Sequence, residues 1–79
     1  MNQSAIEKHI RTIPSRLAAV RGSRSQRQFA RELGVFQQNI NRYEAGTIPH
    51  SRFLILLQLA EGISPTWLLT GKGSRKVRR

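Results

Sequence analysis

Four polar side chains within a six-residue stretch are the groups best suited to recognise another molecule through hydrogen bonds. They are Gln37, Gln38, Asn41 and Arg42. On a helix spanning residues 36–45 they share one arc, opposite the apolar Ile40 and Tyr43. Glutamine and asparagine can bond bidentately to adenine and arginine to guanine, and each pairing contributes about 1–3 kcal/mol of discrimination between bases. The spacing therefore favours a helix face that contacts base edges.

A plainer interpretation is that these residues are ordinary solvent-exposed helix formers, as glutamine often is. Arg42 could likewise form a surface ion pair, which contributes about 0–1 kcal/mol. No acidic residue lies three or four positions before or after Arg42, however. Base or phosphate contact is therefore the preferred interpretation for its guanidinium group.

The chain offers few groups for catalysis or metal binding. It contains no cysteine, and His9 and His50 are the sole candidate nitrogen ligands, so no metal and no cofactor are predicted. No grouping of serine, histidine and acid suggests a catalytic triad. A chain of 79 residues supports one modest core and is too small to enclose a substrate. We predict neither an enzyme nor a small-molecule substrate.

The charge balance is strongly basic. Fourteen Lys and Arg residues against four Glu give a formal net charge of +10, which attracts polyanions. Nucleic acid is the leading partner, although charge alone does not distinguish DNA from RNA or an anionic lipid surface. No apolar run approaches the roughly 18 residues of a membrane span, and the first residues lack the apolar segment of a signal peptide. We expect a cytoplasmic, nucleoid-associated protein with no membrane partner.

Apolar residues recur at helical spacing, and local signals mark where each helix begins and ends. Ser25 and Gln28 form a capping-box pattern, and Ser64 with Pro65 fits an N-cap followed by a first-turn proline. Five glycines that can end a helix follow the apolar segments: Gly22, Gly34, Gly46, Gly62 and Gly71. Without the alternating pattern typical of strands, the sequence predicts an all-α fold of five helices.

The two ends of the chain are less regular. Residues 1–13 carry a capping-box pattern that starts at Ser4, and Pro14 disfavours helical backbone at the residue before it. This N-terminal extension is either an extra short helix or the start of the first helix, with a kink at the proline. Residues 14–71 form the predicted domain, and residues 72–79 are expected to be a flexible basic tail.

The pattern also predicts which residues are buried. The fourth helix is apolar nearly all round, which favours a central position in the core. Phe36 shares a helical face with Ile40 and Tyr43, so it is expected in the core rather than against a thymine methyl group. Trp67 is also expected in the core.

Residues 16–71 resemble the lambdoid phage repressor and Cro family of helix-turn-helix domains, the XRE family. The resemblance is carried by the segments SQRQFARELGVFQQNINRYEAG, SRFL and SPTWLLTG, in the order and spacing that the family shows. It implies a five-helix, lambda-repressor-like domain of a phage or prophage that binds double-stranded DNA and regulates transcription. It further implies a homodimer on a two-fold symmetric operator, with the third helix in the major groove.

The resemblance also implies roles for individual residues. The base-contacting positions of the family fall on Gln37, Gln38 and Arg42, with Asn41 beside them. The phosphate-contacting positions fall on Gln26, Arg27, Thr47, Ile48 and Arg52. Arg21 and Glu44 match a pair that family members often join by an ion pair between the first and third helices. The alternative is that they are two unrelated surface charges.

Two departures from the family pattern are visible. The segment between Arg21 and Gln26 is shorter than is usual, so the first helix is expected to end or dock differently. Phe36 stands where the family usually has a serine or threonine N-cap, which leaves the first amides of the third helix without a side-chain acceptor. These amides could instead face a phosphate.

Two other functions are compatible with the sequence. An antitoxin-like protein-interaction module would bind DNA only secondarily, and RNA binding is a third hypothesis. RNA recognition usually adds exposed aromatic residues for base stacking, whereas most aromatic residues of this chain are expected in the core. A neighbouring toxin gene would favour the antitoxin hypothesis, and a divergent phage gene would favour a repressor or Cro.

Overall fold

A computed structural model of the chain describes residues 3–77, and every regular element within this range is an α-helix. The helices are α1 (Gln3–Arg21), α2 (Gln26–Leu33), α3 (Gln37–Glu44), α4 (Ser51–Glu61) and α5 (Pro65–Thr70). The predicted all-α fold of five helices is therefore confirmed. None of these helices is long and apolar enough to cross a membrane.

The turn between α2 and α3 is built from local signals in the sequence. Ser25 caps α2, and its hydroxyl oxygen accepts a hydrogen bond from the amide of Gln28 at 3.0 Å. Gly34 ends α2 with φ of 73°, a left-handed conformation that favours glycine. The amide of Val35 then donates to the carbonyl of Ala30 at 3.0 Å, which closes the turn. Two short helices are thereby held at a fixed angle by a connection of three residues.

Helix α1 runs through Pro14 without interruption, so the N-terminal extension is not a separate helix. Ser4 lies inside α1 and is not its cap. Proline has no N–H to donate to the carbonyl of Ile10 one turn earlier, so α1 lacks one backbone hydrogen bond at this point. Burial of Ile13 in the core outweighs the local preference against a helical residue before proline.

The core draws on all five helices and on the connection between α4 and α5. Its buried residues are Ile13, Leu17, Val20, Phe29, Ala30, Leu33, Ile40, Tyr43, Phe53, Leu57, Ile63 and Leu68. Trp67 is half-buried and packs against this cluster. The expected central position of α4 in the core holds for its buried side, with Phe53 and Leu57, whereas Ile55 and Leu59 on its other side are 59% and 72% exposed. No element of residues 3–77 covers that side of α4.

Residues 72–77, expected as part of a flexible basic tail, contact the connection between α4 and α5. The amide of Ser64 donates to the carbonyl of Arg75 at 2.8 Å, and the amide of Val77 donates to the carbonyl of Gly62 at 2.8 Å. The Arg75 guanidinium lies over the ring of Trp67, 5.4 Å from its centroid. Backbone groups in the α4–α5 connection have no hydrogen-bond partner within a helix, and the C-terminal segment supplies partners for them. The predicted tail continues over residues 78–79, which lie outside the described residues.

Candidate nucleic-acid interface

Helix α3 is anchored on one side and open on the other. Its apolar residues Ile40 and Tyr43 are buried in the core, where Tyr43 packs against Phe53 with ring centroids 4.6 Å apart. The opposite side carries the four polar residues singled out from the sequence: Gln37, Gln38, Asn41 and Arg42. All four are exposed and together line one open surface depression. The core therefore fixes the helix while its outer face stays accessible to a ligand.

The polar residues of this face differ in whether they already have partners. Among the described residues, no acidic side chain pairs with Arg42, and no hydrogen bond engages the side chains of Gln37 and Gln38. Asn41 is different, because its Nδ2 donates to Gln26 Oε1 at 3.4 Å. Three side chains therefore present free hydrogen-bonding groups, while the fourth is directed along the surface towards α2.

A network of hydrogen bonds joins α1, α2 and α3 behind this face. Arg21 holds Glu44 with two hydrogen bonds, Nε to Oε2 at 2.8 Å and Nη2 to Oε1 at 3.0 Å. Gln26 Nε2 donates to Glu44 Oε1 at 3.1 Å. Arg21 and Glu44, which the resemblance paired, are thus in direct contact, and Gln26 joins them. This network fixes the C-terminal end of α3 against α1 and the start of α2.

The ionisation of Glu44 follows from this network. Burial opposes the charged form, but the hydrogen bonds from Arg21 and Gln26 outweigh burial, and the pKa of Glu44 is lowered from its usual value. The carboxylate is therefore ionised at neutral pH. The ionised carboxylate holds the guanidinium of Arg21 and the side-chain amide of Gln26 in place.

The remaining candidate residues flank the polar face of α3. Gln26 and Arg27 lie in the first turn of α2, on one side. Thr47 and Ile48 lie in the α3–α4 connection and Arg52 in the first turn of α4, on the other side. All except Gln26 are exposed, and within residues 3–77 no ion pair engages Arg27 or Arg52. The two groups frame α3 with hydrogen-bond donors and positive charge.

The sequence analysis missed the role of Arg24. Its guanidinium donates to Glu32 at 2.8 Å and to Glu61 at 2.9 Å, and it lies over the ring of Phe29, 4.6 Å from the centroid. One arginine thus joins the short α1–α2 connection to α2 and α4. Glu61 lies 37 positions from Arg24, so local spacing could not predict this ion pair. The short segment after Arg21 was the only sign in the sequence that this connection is unusual.

The prediction that Phe36 lies in the core was wrong. The residue is the N-cap of α3, its side chain makes no capping hydrogen bond, and it is 79% exposed. Helical periodicity placed Phe36 on the face of Ile40, but the N-cap has extended backbone and its side chain leaves the helical arc. The interface therefore contains a large apolar side chain next to Gln37.

Comparison with known proteins adds one finding to this geometry. Residues 17–68 match the family model described as helix-turn-helix, which covers more than half of the chain. The matched range begins inside α1, ends inside α5 and contains the whole of α2, its turn and α3. No solved structure matches the chain.

Proposed function

The chain belongs to the XRE-type helix-turn-helix family of DNA-binding transcriptional regulators, and from this premise we propose that it is a sequence-specific repressor of the Cro type. It occupies a palindromic operator as a homodimer and places α3 in the major groove. Regulation follows from occupancy, without an enzymatic step. We place it in the cytoplasm, on the nucleoid of a bacterium or prophage host.

The observation that carries the proposal is the unpartnered polar face of α3. Gln37, Gln38 and Arg42 are exposed and unbonded, on a helix whose other face is fixed by Ile40 and Tyr43. Amide and guanidinium groups held in this way can bond to adenine and guanine without first breaking internal contacts. Asn41 supplements these contacts and at the same time joins the face to Gln26.

Phosphate contacts supply affinity and orientation in this proposal. They come from Gln26, Arg27, Thr47, Ile48 and Arg52 on both sides of α3. Ile48 has no polar side-chain atom, so its contact comes from the main-chain amide. The remaining positive charge favours association with any duplex, and this contribution weakens as salt concentration rises.

The exposed apolar side of α4 supports a protein partner as a second component. Ile55 and Leu59 border a groove that continues to Val35 on the α2–α3 turn. A second copy on the operator is the occupant that fits the proposed function. The antitoxin-like hypothesis assigns this surface to another protein and remains the second candidate.

Selection of bound sites from random duplex DNA tests the proposal. We expect a palindromic site with half-sites about one helical turn apart, bound by two copies of the chain. Sedimentation without DNA should show mostly monomer at low concentration, because the basic surfaces repel each other. If selection yields no preferred sequence, the proposal fails, and a tight complex with a toxin would favour the second candidate.

A further inference from the structure

Phe36 is a large apolar side chain exposed to solvent at the start of α3. Among residues 3–77 it is the most exposed large apolar residue, at 79%. We infer that Phe36 determines specificity by packing against the 5-methyl group of a thymine in each half-site. This inference rests on the proposed function, because it adds one contact to the same interface.

The position of Phe36 places it where a recognition helix meets the bases. It is the N-cap of α3, directly before Gln37, and its backbone is extended with φ of −74° and ψ of 139°. The N-terminal residues of a recognition helix are those that contact base edges in the major groove. Ile40, one turn later, is fully buried and fixes how far the start of α3 projects from the core.

No role within the fold accounts for the phenyl ring. The side chain is absent from the core and from the groove formed by Val35, Ile55 and Leu59. It also cannot cap α3, because it has no acceptor for the first amides. Folding therefore gains nothing from a phenyl ring at this position, and removal of the ring should leave stability unchanged.

The chemistry of the ring identifies its ligand. The polar residues of α3 can hydrogen-bond to adenine and guanine, whereas the 5-methyl group of thymine offers no hydrogen-bonding atom. The thymine methyl is the apolar feature of the major groove, and an apolar side chain such as phenylalanine can pack against it. Phe36 thus complements Gln37, which can bond to an adenine in the same or an adjacent base pair.

Replacement of thymine by deoxyuridine removes the methyl group and leaves base pairing intact. Each thymine of the selected half-site is replaced singly, and binding is measured by fluorescence anisotropy for the wild type, Phe36→Ala and Gln37→Ala. We expect the wild type to lose about fourfold in affinity at one thymine, the effect of removing one buried methyl group. Phe36→Ala should bind the unmodified site more weakly and lose nothing further at that thymine. Gln37→Ala is the matched control and should keep the fourfold loss.

The outcomes distinguish this inference from the proposed function. Suppose that a site is selected, but that no single deoxyuridine replacement lowers the affinity of the wild type more than it lowers the affinity of Phe36→Ala. The inference is then overturned and the proposed function stands. A uniform loss for Phe36→Ala on every duplex, with weaker self-association, also overturns it, because the ring would then serve an interface between copies. If selection yields no preferred site, both fail. Thermal melting of Phe36→Ala should match the wild type.

Discussion

Arginine has opposite surroundings in two regions of this protein. At the end of α1, Arg21 and Arg24 are half-buried, and between them they bind Glu44, Glu32 and Glu61. On the outer face of α3, Arg42 is exposed and no acidic residue among residues 3–77 pairs with it. Three of the four acidic residues of the chain are thus bound behind the interface, and none neutralises the face that points outward.

The difference shows how a strongly basic chain separates structural from ligand-binding charges. A guanidinium held by two carboxylate contacts has a fixed geometry and few donors left for a ligand. An unpaired guanidinium keeps its five donors available, at the cost of remaining mobile in solvent. The paired arginines should therefore contribute to folding, and Arg42 should control binding.

Replacement of the anchor of α3 should have the largest effect. Ile40→Ala removes a fully buried side chain and should lower the free energy of unfolding by about 2–5 kcal/mol. Binding to the selected site and to unrelated duplex should be lost together as the domain unfolds. Urea denaturation and binding measured on the same preparation check this. Normal stability with selective loss of one binding mode would show that α3 does not depend on this anchor.

Replacement of residues on the outer face should have the reverse effect. Gln37→Ala and Arg42→Ala should each weaken operator binding by about 1–3 kcal/mol and relax preference at one base pair. Their free energies of unfolding should change by no more than about 0.5 kcal/mol, because both side chains are exposed and unpartnered. If both variants keep full preference for the selected site, α3 is not the recognition helix.

Acid should weaken the region behind the interface. A lowered pKa in the folded state means that Glu44 stabilises the fold above its ordinary pKa of about 4.3, and that this stabilisation is lost as pH falls further. Glu44→Gln should therefore be about 1–2 kcal/mol less stable than the wild type at pH 7, with the difference shrinking towards pH 3. Thermal melting between pH 7 and pH 3 measures this.

Glu32 is a second carboxylate that makes stability depend on pH in the same experiment. Hydrogen bonds from Arg24 and Gln28 lower the pKa of Glu32, so the Glu44→Gln variant should keep a shallower dependence of stability on pH in the same range. A constant stability difference between variant and wild type at all pH values would mean that the Glu44 charge does not stabilise the fold. Operator affinity at pH 7 should change less than for Arg42→Ala.

Removal of the C-terminal segment should have the smallest effect. Deletion of residues 72–79 breaks two backbone hydrogen bonds to the α4–α5 connection and should lower the free energy of unfolding by about 1 kcal/mol. Trp67, the single tryptophan, should become more exposed, with a red shift in its fluorescence. Arg75→Ala should reproduce the spectral shift. An unchanged spectrum in both variants would show that the segment does not pack on Trp67 in solution, and a changed site preference would show that it contacts bases.

Features that depend on near neighbours in the chain could be predicted from the amino-acid sequence. Ser25, Gly34 and Ser64 marked helix ends correctly, because capping and left-handed backbone are decided within about one turn. Helical periodicity likewise placed Ile40 and Tyr43 on the buried side of α3, opposite its polar face. These signals sufficed for five helices and for the helix-turn-helix unit.

Which apolar surfaces are covered depends on how the helices pack and could not be predicted from the sequence. The outer side of α4 and the ring of Phe36 are apolar in sequence, but no second layer packs on them within the described residues. Composition shows that a surface is apolar, whereas burial requires an element positioned opposite it. The same limit explains why the effect of Pro14 on α1 was not predictable from the sequence. Ile13 is buried in the core, and α1 is continuous at Pro14.

Contacts distant in sequence were likewise decided by the fold alone. Arg24 reaches Glu61 across 37 positions, and the C-terminal segment pairs with the α4–α5 connection through backbone groups that every residue carries. The sequence pattern of such a segment is merely basic and polar, which is typical of a flexible tail. Its hydrogen bonds are made to the backbone groups of Gly62 and Ser64, which lie outside any helix.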